Sequence, residues 1–235
     1  MNINNIAIII PAYNPPNNLL LFTQNLLKSG FSKIIIINDG STQSFNDIFE
    51  KIKNLNINLI IHEKNMGKGQ ALKSGIKFCL NNFQNLSGII TADADGQHSV
   101  NDITKLANQT NLNKLILGKR YFRTKSVPLR SMLGNFLSRF AISFVSKQKI
   151  YDTQTGLRFI PTEKLESFVN IPGDRYEYET NMLLYAKKFN LKISEIPIET
   201  IYIENNKNSH FKPIKDAYFI YKSIFNFYLN NNHEK

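Results

Sequence analysis

The sequence predicts an α/β fold, with a Rossmann-like, mostly parallel, doubly wound sheet that carries helices on both faces. Five short apolar runs alternate with amphipathic segments along the first half of the chain. The runs are almost continuous in isoleucine and leucine, which is typical of strands covered on both faces. Alternation of strands and helices at this spacing favours parallel strands joined by right-handed crossovers.

The elements of this sheet can be assigned in order along the chain. Strands are expected at residues 6–11, 33–38, 57–62, 87–92 and 114–118, and helices between them at 17–29, 44–54, 68–82 and 100–110. Ser99 or Asn101 is expected to cap the last of these helices.

Two further segments have the spacing of amphipathic helices. Residues 213–229 carry six aromatic residues and three lysines or aspartates. Such helices bind well at a membrane interface, although both segments could instead pack on the sheet or on a second copy of the chain. Residues 129–144 place one apolar stripe along a helix: Leu129, Met132, Leu133, Phe136, Leu137, Phe140, Ala141 and Phe144.

Length and cysteine content limit the class of protein. A chain of 235 residues can bury a full core without disulfides or structural metals. Cys79 is the single cysteine, which excludes an internal disulfide and fits a reducing compartment. The N-terminus lacks the features of a signal peptide, and no apolar stretch reaches the ~18–20 residues that span a bilayer. We therefore expect a cytoplasmic protein.

The positive charge of the chain is concentrated in one region. The net charge is +11, and residues 119–149 contain eight Lys or Arg and no Asp or Glu. Such a surface favours phosphates, whether on nucleic acid, nucleotides or anionic lipid.

Polar, loop-forming residues follow the first four predicted strands, in the segments PAYN, NDGS, EKNMGKG and DADGQH. Ligands bind beyond the carboxyl ends of strands in open parallel sheets. The segment PAYNPP after the first strand does not match the dinucleotide motif, and MGKGQA does not match a P-loop. A different scheme for binding phosphate is therefore expected.

Asp93 and Asp95 are separated by one residue directly after the fourth predicted strand. Two carboxylates this close repel each other unless a positive charge lies near them. Side chains alternate along a strand, so the chain must turn after Asp93 for the carboxylates to converge, and Gly96 permits that turn. Because Mg²⁺ or Mn²⁺ binds through one or two carboxylates together with substrate phosphates, the pair predicts a divalent-metal site for a diphosphate.

With PAYN, NDGS, N-x-G-K-G and DADGQH in this order, the chain resembles the family 2 glycosyltransferases of the GT-A type. Within that family it is most similar to the polyprenyl-phosphate glycosyltransferases. The resemblance extends from about Ile6 to about Tyr221, and its most specific segments are DADGQH and YDTQTGLR, residues 151–158.

The resemblance implies a set of site residues. Asp95, Gln97 and Asp93 would hold Mg²⁺ or Mn²⁺. The catalytic group would be Asp152, as the catalytic carboxylate, with Arg120 and Arg130 on the acceptor's phosphate. The nucleotide-sugar would contact Pro11, Ala12, Tyr13, Asn14, Asp39, Gly67, Lys68, Asp93, Ser209 and His210, with Asp39 on the base or ribose.

Some of these assignments have alternatives. Asp152 could instead form a turn at the start of DTQTG, and Glu177 and Glu179 are rival carboxylates near a helix start. The chain has Pro15 where the family often has Glu. It also has Lys207 near Ser209 where an arginine is frequent, and lysine lacks bidentate geometry.

The implied function is inverting, metal-dependent transfer of a sugar from a UDP- or GDP-sugar to a polyprenyl phosphate at the inner face of the cell membrane. Alternatives are a glycan or other non-lipid acceptor in cell-surface polysaccharide synthesis, and a basic nucleic-acid-binding α/β protein. The expected partners are the donor, the lipid acceptor, the membrane surface and either a small transmembrane protein or further copies of the chain, without nucleic acid.

The chain is expected to divide into two parts. Residues 1–211 would form the GT-A domain, with a nucleotide-sugar half at about 1–118 and an acceptor half at about 119–211. Residues 212–235 would add a C-terminal amphipathic helix and a polar tail.

Overall fold

The computed structural model describes residues 3–109, 111–121, 129–199 and 212–232, with the backbone alone described at 129–137, 213, 231 and 232. The described strands are β1 (Ile6–Ala12), β2 (Lys33–Asn38), β3 (Asn58–Ile61), β4 (Gly88–Thr91), β5 (Lys114–Lys119), β6 (Arg158–Pro161) and β7 (Lys192–Pro197). They form one sheet in the order β3-β2-β1-β4-β6-β5-β7.

All neighbouring strands of this sheet are parallel except β6, which is antiparallel to both β4 and β5. The described helices are α1 (Asn18–Lys28), α2 (Asn46–Lys53), α3 (Lys68–Asn82), α4 (Val100–Asn108), α5 (Leu129–Ser146), α6 (Leu165–Val169), α7 (Glu177–Ala186) and α8 (Pro213–Asn232). The predicted α/β class is confirmed. At α4, the Ser99 hydroxyl accepts a hydrogen bond from the Asp102 backbone N–H, as predicted for the cap.

The sheet separates two apolar layers, and single strands contribute to both. On β1, Ile8 and Ile10 pack with the layer of α1, α2 and α4, whereas Ala7 and Ile9 pack with the layer of α3, α7 and α8. All four side chains are fully buried, which explains why the strand is apolar at consecutive positions instead of alternating.

Strand β6 determines what lies beside the end of β4. Its four residues, RFIP, are too few for periodicity to identify, and neither β6 nor β7 was predicted. Because β6 runs antiparallel to β4, with Arg158 opposite Thr91, the preceding segment 151–157 reaches the edge of the sheet where DADGQH begins. Two segments that are distant in sequence therefore meet at one edge.

Helix α8 packs on the same layer as α3 and α7. Ile224 and Phe227 are buried in that layer, and the Ser223 hydroxyl donates to the Asn181 side chain at 2.6 Å. The predicted division at residue 211 remains a prediction, because 211 lies outside the described residues. Among the described residues, no helix is both long enough and apolar enough to cross a membrane.

Candidate active site

A cavity of about 1070 Å³ opens at the carboxyl edge of the parallel strands. It gathers residues from the four polar strand ends and from α7 and α8. The predicted site residues that line it are Pro11, Ala12, Tyr13, Asn14, Asp39, Gly67, Lys68, Asp93, Asp95, Gln97 and Arg120. Asp152 is not among the lining residues, the Arg130 side chain is not described, and Ser209 and His210 lie outside the described residues.

Lys68, the first residue of α3, supplies a positive charge beside the paired aspartates. Its ammonium lies 2.7 Å from Asp93 Oδ1 and 2.7 Å from Glu179 Oε2 on α7. The second oxygen of Asp93 lies 3.3 Å from the Nε2 atom of His98. Both Asp93 oxygens therefore have protein partners, and Lys68 links the end of β4 to the start of α7.

This network shifts the ionisation of its members. Burial alone would favour neutral forms, but the Lys68 charge and the contact with His98 hold the pKa of Asp93 well below its ordinary value. In the same way, Asp93 and Glu179 outweigh burial and raise the pKa of Lys68 above its ordinary value. The ion pair is therefore fully charged at neutral pH.

Asp95 is in a different electrostatic position from Asp93. Burial and the nearby Asp93 charge raise the pKa of Asp95, and its Oδ1 accepts a hydrogen bond from the Gln97 backbone N–H at 2.9 Å. Asp95 thus adds a second carboxylate beside Asp93, whose own charge is already paired with Lys68. A divalent cation at Asp95 would compensate this local negative charge, so the residues present fit the metal site that the sequence predicts.

The fit favours Asp95 over Asp93 as a metal ligand. Both Asp93 oxygens contact side chains, those of Lys68 and His98, whereas the hydrogen bond described for Asp95 comes from a backbone N–H, that of Gln97. Among the described residues, no cluster of three or more His, Cys, Asp or Glu side chains forms a complete protein cage for a metal.

The segment YDTQTGLR packs against the end of β4. The Thr91 hydroxyl donates to the Gly156 carbonyl at 2.7 Å. A Cβ atom at Gly156 would lie 2.3 Å from Asp93 Oδ2, so only glycine permits this close approach. The buried Arg158 donates to the Glu179 carbonyl at 2.5 Å and to the Thr155 carbonyl at 2.9 Å. This segment therefore contacts the carboxylate of Asp93 and the backbone of Glu179, the two residues that Lys68 links.

Asp39 organises the loop before α3. Its Oδ1 lies 2.7 Å from the Nδ1 atom of His62 and accepts the Met66 N–H, and its Oδ2 accepts the Gly67 N–H. The side chain is almost fully buried, at 2% exposure. These contacts give Asp39 a structural role in addition to the predicted contact with a base or ribose.

Arg120 is held at the cavity wall by Asp152. Its Nε and Nη2 atoms donate to the two oxygens of Asp152 at 2.8 and 3.0 Å, and its backbone N–H donates to Oδ2 at 3.2 Å. Asp152 is fully buried. A buried carboxylate in a bidentate contact with arginine is poorly placed to act as a base, so the geometry favours a positioning role over the predicted catalytic one.

The two rival carboxylates on α7 differ clearly. Glu177 Oε1 accepts the backbone N–H groups of Asp174 and Arg175 at 3.0 and 3.2 Å, which is a helix-start contact. Glu179 instead lines the cavity and binds Lys68. Sequence reasoning gave both residues equal standing, and it did not predict that Arg158 would line the cavity. The only signal for Arg158 was its place in YDTQTGLR.

Comparison with known proteins gives an independent result. The profile described as "Glycosyl transferase family 2" matches residues 7–168. The chain is 31% identical over 219 residues to the UDP-N-acetylglucosamine–dolichyl-phosphate N-acetylglucosaminyltransferase of Methanococcus voltae, covering 85% of this chain and 86% of that protein. It is 29% identical over 223 residues to a dolichyl-phosphate beta-glucosyltransferase of Trichomonas vaginalis, covering 86% and 67% of the two chains.

A solved structure with a similar fold is glucosyl-3-phosphoglycerate synthase of Mycobacterium tuberculosis in complex with Mn²⁺, UDP-glucose and phosphoglyceric acid. The TM-score is 0.69 at 13% identity, with 95% of this chain and 79% of that chain covered. Another structure of that enzyme contains Mg²⁺ and UDP. At this identity the likeness establishes the fold.

We predict that Lys68→Met destabilises the fold in a pH-dependent way. The change leaves Asp93 and Glu179 without their shared cation, and loss of a hydrogen bond to a charged group costs about 1.5–3 kcal/mol. That corresponds to a drop of roughly 3–12 °C in Tm for a chain of this size. Thermal unfolding at neutral pH would measure it, with the exposed Lys64→Met as the matched control.

The sign of the pH dependence follows from Asp93. Because its folded pKa lies below the unfolded value of about 3.9, the ion pair stabilises the protein above that pH and the contribution is lost as the pH falls. The difference in Tm between wild type and Lys68→Met should therefore narrow as the pH is lowered from about 5 towards 2, the range in which Asp93 protonates in the unfolded chain. A constant difference over that range would contradict this account of the network.

Proposed function

The chain belongs to glycosyl transferase family 2, and from this premise we propose that it transfers a sugar from a UDP- or GDP-sugar to a polyprenyl phosphate, with inversion at the anomeric carbon and with Mg²⁺ or Mn²⁺. The observation that carries the proposal is one cavity that contains both an acidic site at Asp95 and a fixed arginine at Arg120. The first suits a diphosphate with its cation, and the second suits a separate phosphate.

The donor half of the cavity is formed by the ends of β1, β2 and β4. Pro11, Ala12 and Tyr13 form one wall, and Asn14 is fixed by its contacts with Ser41 and Thr42. We assign Asp95 and Gln97 as the residues that hold the metal. When bound, the cation would neutralise charge on the departing diphosphate.

The acceptor half contains Arg120. An acceptor phosphate is already anionic at neutral pH, so what it requires is alignment with the sugar, not a strong base. A guanidinium fork matches phosphate oxygens, and Asp152 fixes the orientation of the fork. We assign Arg120 and Arg130 to the acceptor phosphate, Ser209 and His210 to the loop over the donor, and Asp152 to the positioning of Arg120.

The names of the relatives support the lipid acceptor. Two relatives that are similar over more than four-fifths of this chain are named as dolichyl-phosphate sugar transferases, one for N-acetylglucosamine and one for glucose. Dolichyl phosphate, which both names contain, is a phosphorylated isoprenoid lipid. Family membership also favours a transferase over the nucleic-acid-binding alternative.

We further propose that the chain works at the cytoplasmic surface of a membrane, with α8 and the acceptor half facing the lipid. Helix α8 lines the cavity through Ala217, Ile220 and Tyr221. Along the same helix, exposed apolar and aromatic side chains recur at helical spacing: Ile214, Tyr218, Tyr221, Phe225, Tyr228 and Leu229. Helices with this character bind at the interface of a bilayer. A small transmembrane partner or a second copy of the chain would occupy the same face.

The function is tested by incubating the purified chain with vesicles that contain a polyprenyl phosphate and a panel of UDP- and GDP-sugars. The expected product is a lipid-linked sugar monophosphate, detected by mass spectrometry. Transfer to a soluble glycan with no transfer to the lipid would support the alternative acceptor and overturn this proposal.

We predict that Asp95→Asn abolishes the metal-dependent part of nucleotide binding. A nucleotide at 100 times its Kd should stabilise the wild-type chain by about 2.7 kcal/mol. The shift in Tm should require Mg²⁺ or Mn²⁺ in the wild type and be lost in the variant. The exposed Asp47→Asn on α2 is the charge-matched control and should behave as wild type. A metal-dependent shift that survives in Asp95→Asn would exclude Asp95 as the ligand.

We predict that Asp152→Asn acts through Arg120. The variant should lose about 100-fold in kcat/KM for the lipid phosphate, because the guanidinium is no longer fixed. The shape of the pH–rate profile should not change. Arg120→Lys should have a similar defect, and the double variant should be little worse than either single variant, because the residues act as one unit. Loss of a limb of the pH profile in Asp152→Asn would instead identify Asp152 as a base.

A further inference from the structure

Three cations converge on one aromatic ring outside the cavity. The Lys119 ammonium lies 4.1 Å, the Lys149 ammonium 5.1 Å and the Arg139 guanidinium 5.3 Å from the centre of the Tyr151 ring. These residues are named here the Tyr151 cluster. The three cations come from separate parts of the chain: Lys119 ends β5, Arg139 lies in the middle of α5, and Lys149 lies just before YDTQTGLR.

The two lysines of the Tyr151 cluster carry positive charge that no carboxylate of the described residues pairs with. The negative charge of Glu195 acts on Tyr151. Its Oε1 atom already accepts the backbone N–H groups of Tyr151 and Asp152, at 2.8 Å each. The ring face attracts each cation but does not cancel their mutual repulsion. An anion placed among them would.

The cluster lies beside the acceptor half of the cavity. Each of its members except Lys149 is the sequence neighbour of a residue of that half: Lys119 precedes Arg120, Tyr151 precedes Asp152, and Arg139 follows the cavity-lining Ser138. The Ser143 hydroxyl on α5 donates to the Ile150 carbonyl and accepts from the Ile150 N–H, which connects α5 to the segment that leads into Tyr151. The Tyr151 cluster is therefore fixed to the same framework that holds Arg120.

Exposed aromatic side chains accompany the cluster on α5. Phe140 is 71% exposed and Phe144 is 66% exposed. They are four residues apart on one face of α5, and Phe140 lies about 100° further round the helix than Arg139. A helix that carries a cation of the cluster and, on an adjacent face, exposed phenylalanines suits the surface of a bilayer, where phosphates lie above the acyl chains.

We propose that the Tyr151 cluster is a second phosphate-binding site, which takes the headgroup phosphate of a membrane lipid other than the acceptor. This inference rests on the proposed function for its biological setting. Binding of a neighbouring headgroup would place the acceptor half of the cavity at the depth where the phosphate of a polyprenyl lipid lies. The membrane would thus orient the enzyme through a fixed charged contact in addition to the apolar face of α8.

The test compares a triple variant with a charge-matched control. Lys119→Gln, Arg139→Gln and Lys149→Gln remove the three cations. Lys28→Gln, Lys51→Gln and Lys53→Gln remove three exposed cations from α1 and α2, on the opposite layer of the fold. Binding is measured by co-sedimentation with vesicles of phosphatidylcholine containing 30% phosphatidylglycerol. Because the two variants have equal net charge, a difference between them reports position.

The triple variant of the Tyr151 cluster should bind these vesicles roughly 100-fold more weakly than the wild type, at about fivefold for each charge near an anionic surface. The control variant should lose less than about tenfold. Equal losses in the two variants would mean a general electrostatic attraction and would overturn the proposal. If the triple substitution weakened binding of inorganic phosphate but left vesicle binding unchanged, a free phosphate would be the ligand, which would also overturn the proposal.

Two further measurements separate this inference from the proposed function. The triple variant should keep the nucleotide-dependent Tm shift and its transfer to a short-chain, water-soluble prenyl phosphate, while transfer in vesicles falls. Loss of the nucleotide shift would indicate a disturbed fold and would count against an independent site. If the wild type transferred sugar to no prenyl phosphate, the proposed function would fail, and vesicle binding would still decide the role of the Tyr151 cluster.

Discussion

The candidate site depends on the contact of one ammonium, that of Lys68, with two carboxylates. Asp93 belongs to the end of β4 and Glu179 to the first turn of α7, and these segments are 86 positions apart in the chain. A buried carboxylate pair would repel and separate the two walls of the cavity, whereas a shared cation holds them together. No salt bridge of the described residues involves Asp95, in contrast to Asp93. In the proposed assignment, a metal at Asp95 would therefore owe its place to the position of a lysine.

The antiparallel strand β6 makes this arrangement possible. A purely parallel sheet would have sent the segment before β6 to the opposite edge, far from Asp93. Because the direction is reversed, Gly156 packs against the Asp93 carboxylate and Arg158 holds the Glu179 carbonyl. The segment that precedes β6 also contains Asp152, which fixes Arg120. The short segment 151–158 therefore contacts residues of both the donor and the acceptor half.

The sequence was sufficient to predict the fold class and the five apolar strands, because burial on both faces leaves a continuous apolar run that needs no context. It also predicted that polar strand ends would meet, since topology alone brings the carboxyl ends of parallel strands to one edge. It could not reveal β6, whose four residues have no readable period, or the partner of Lys68, because a contact between distant segments leaves no local pattern. Asp152 shows the same limit. The family resemblance implied a catalytic carboxylate there, and the burial of Asp152 against Arg120, which favours a positioning role, is a contact between distant segments.

The two charged pairs of the cavity follow one physical rule with opposite signs. At the donor end, a lysine compensates one aspartate so that the other presents negative charge to a cation. At the acceptor end, a buried aspartate fixes one arginine so that the rest of its guanidinium presents positive charge to an anion. In both cases an ion pair determines where the charge of a neighbouring group points, and each member of the pair offsets part of the cost of burying the other. An inverting transfer to an acceptor that is already ionised needs this kind of alignment more than it needs proton transfer. Among the described lining residues, three of the four carboxylates already have protein partners, because Asp39 accepts two backbone N–H groups while Asp93 and Glu179 contact Lys68.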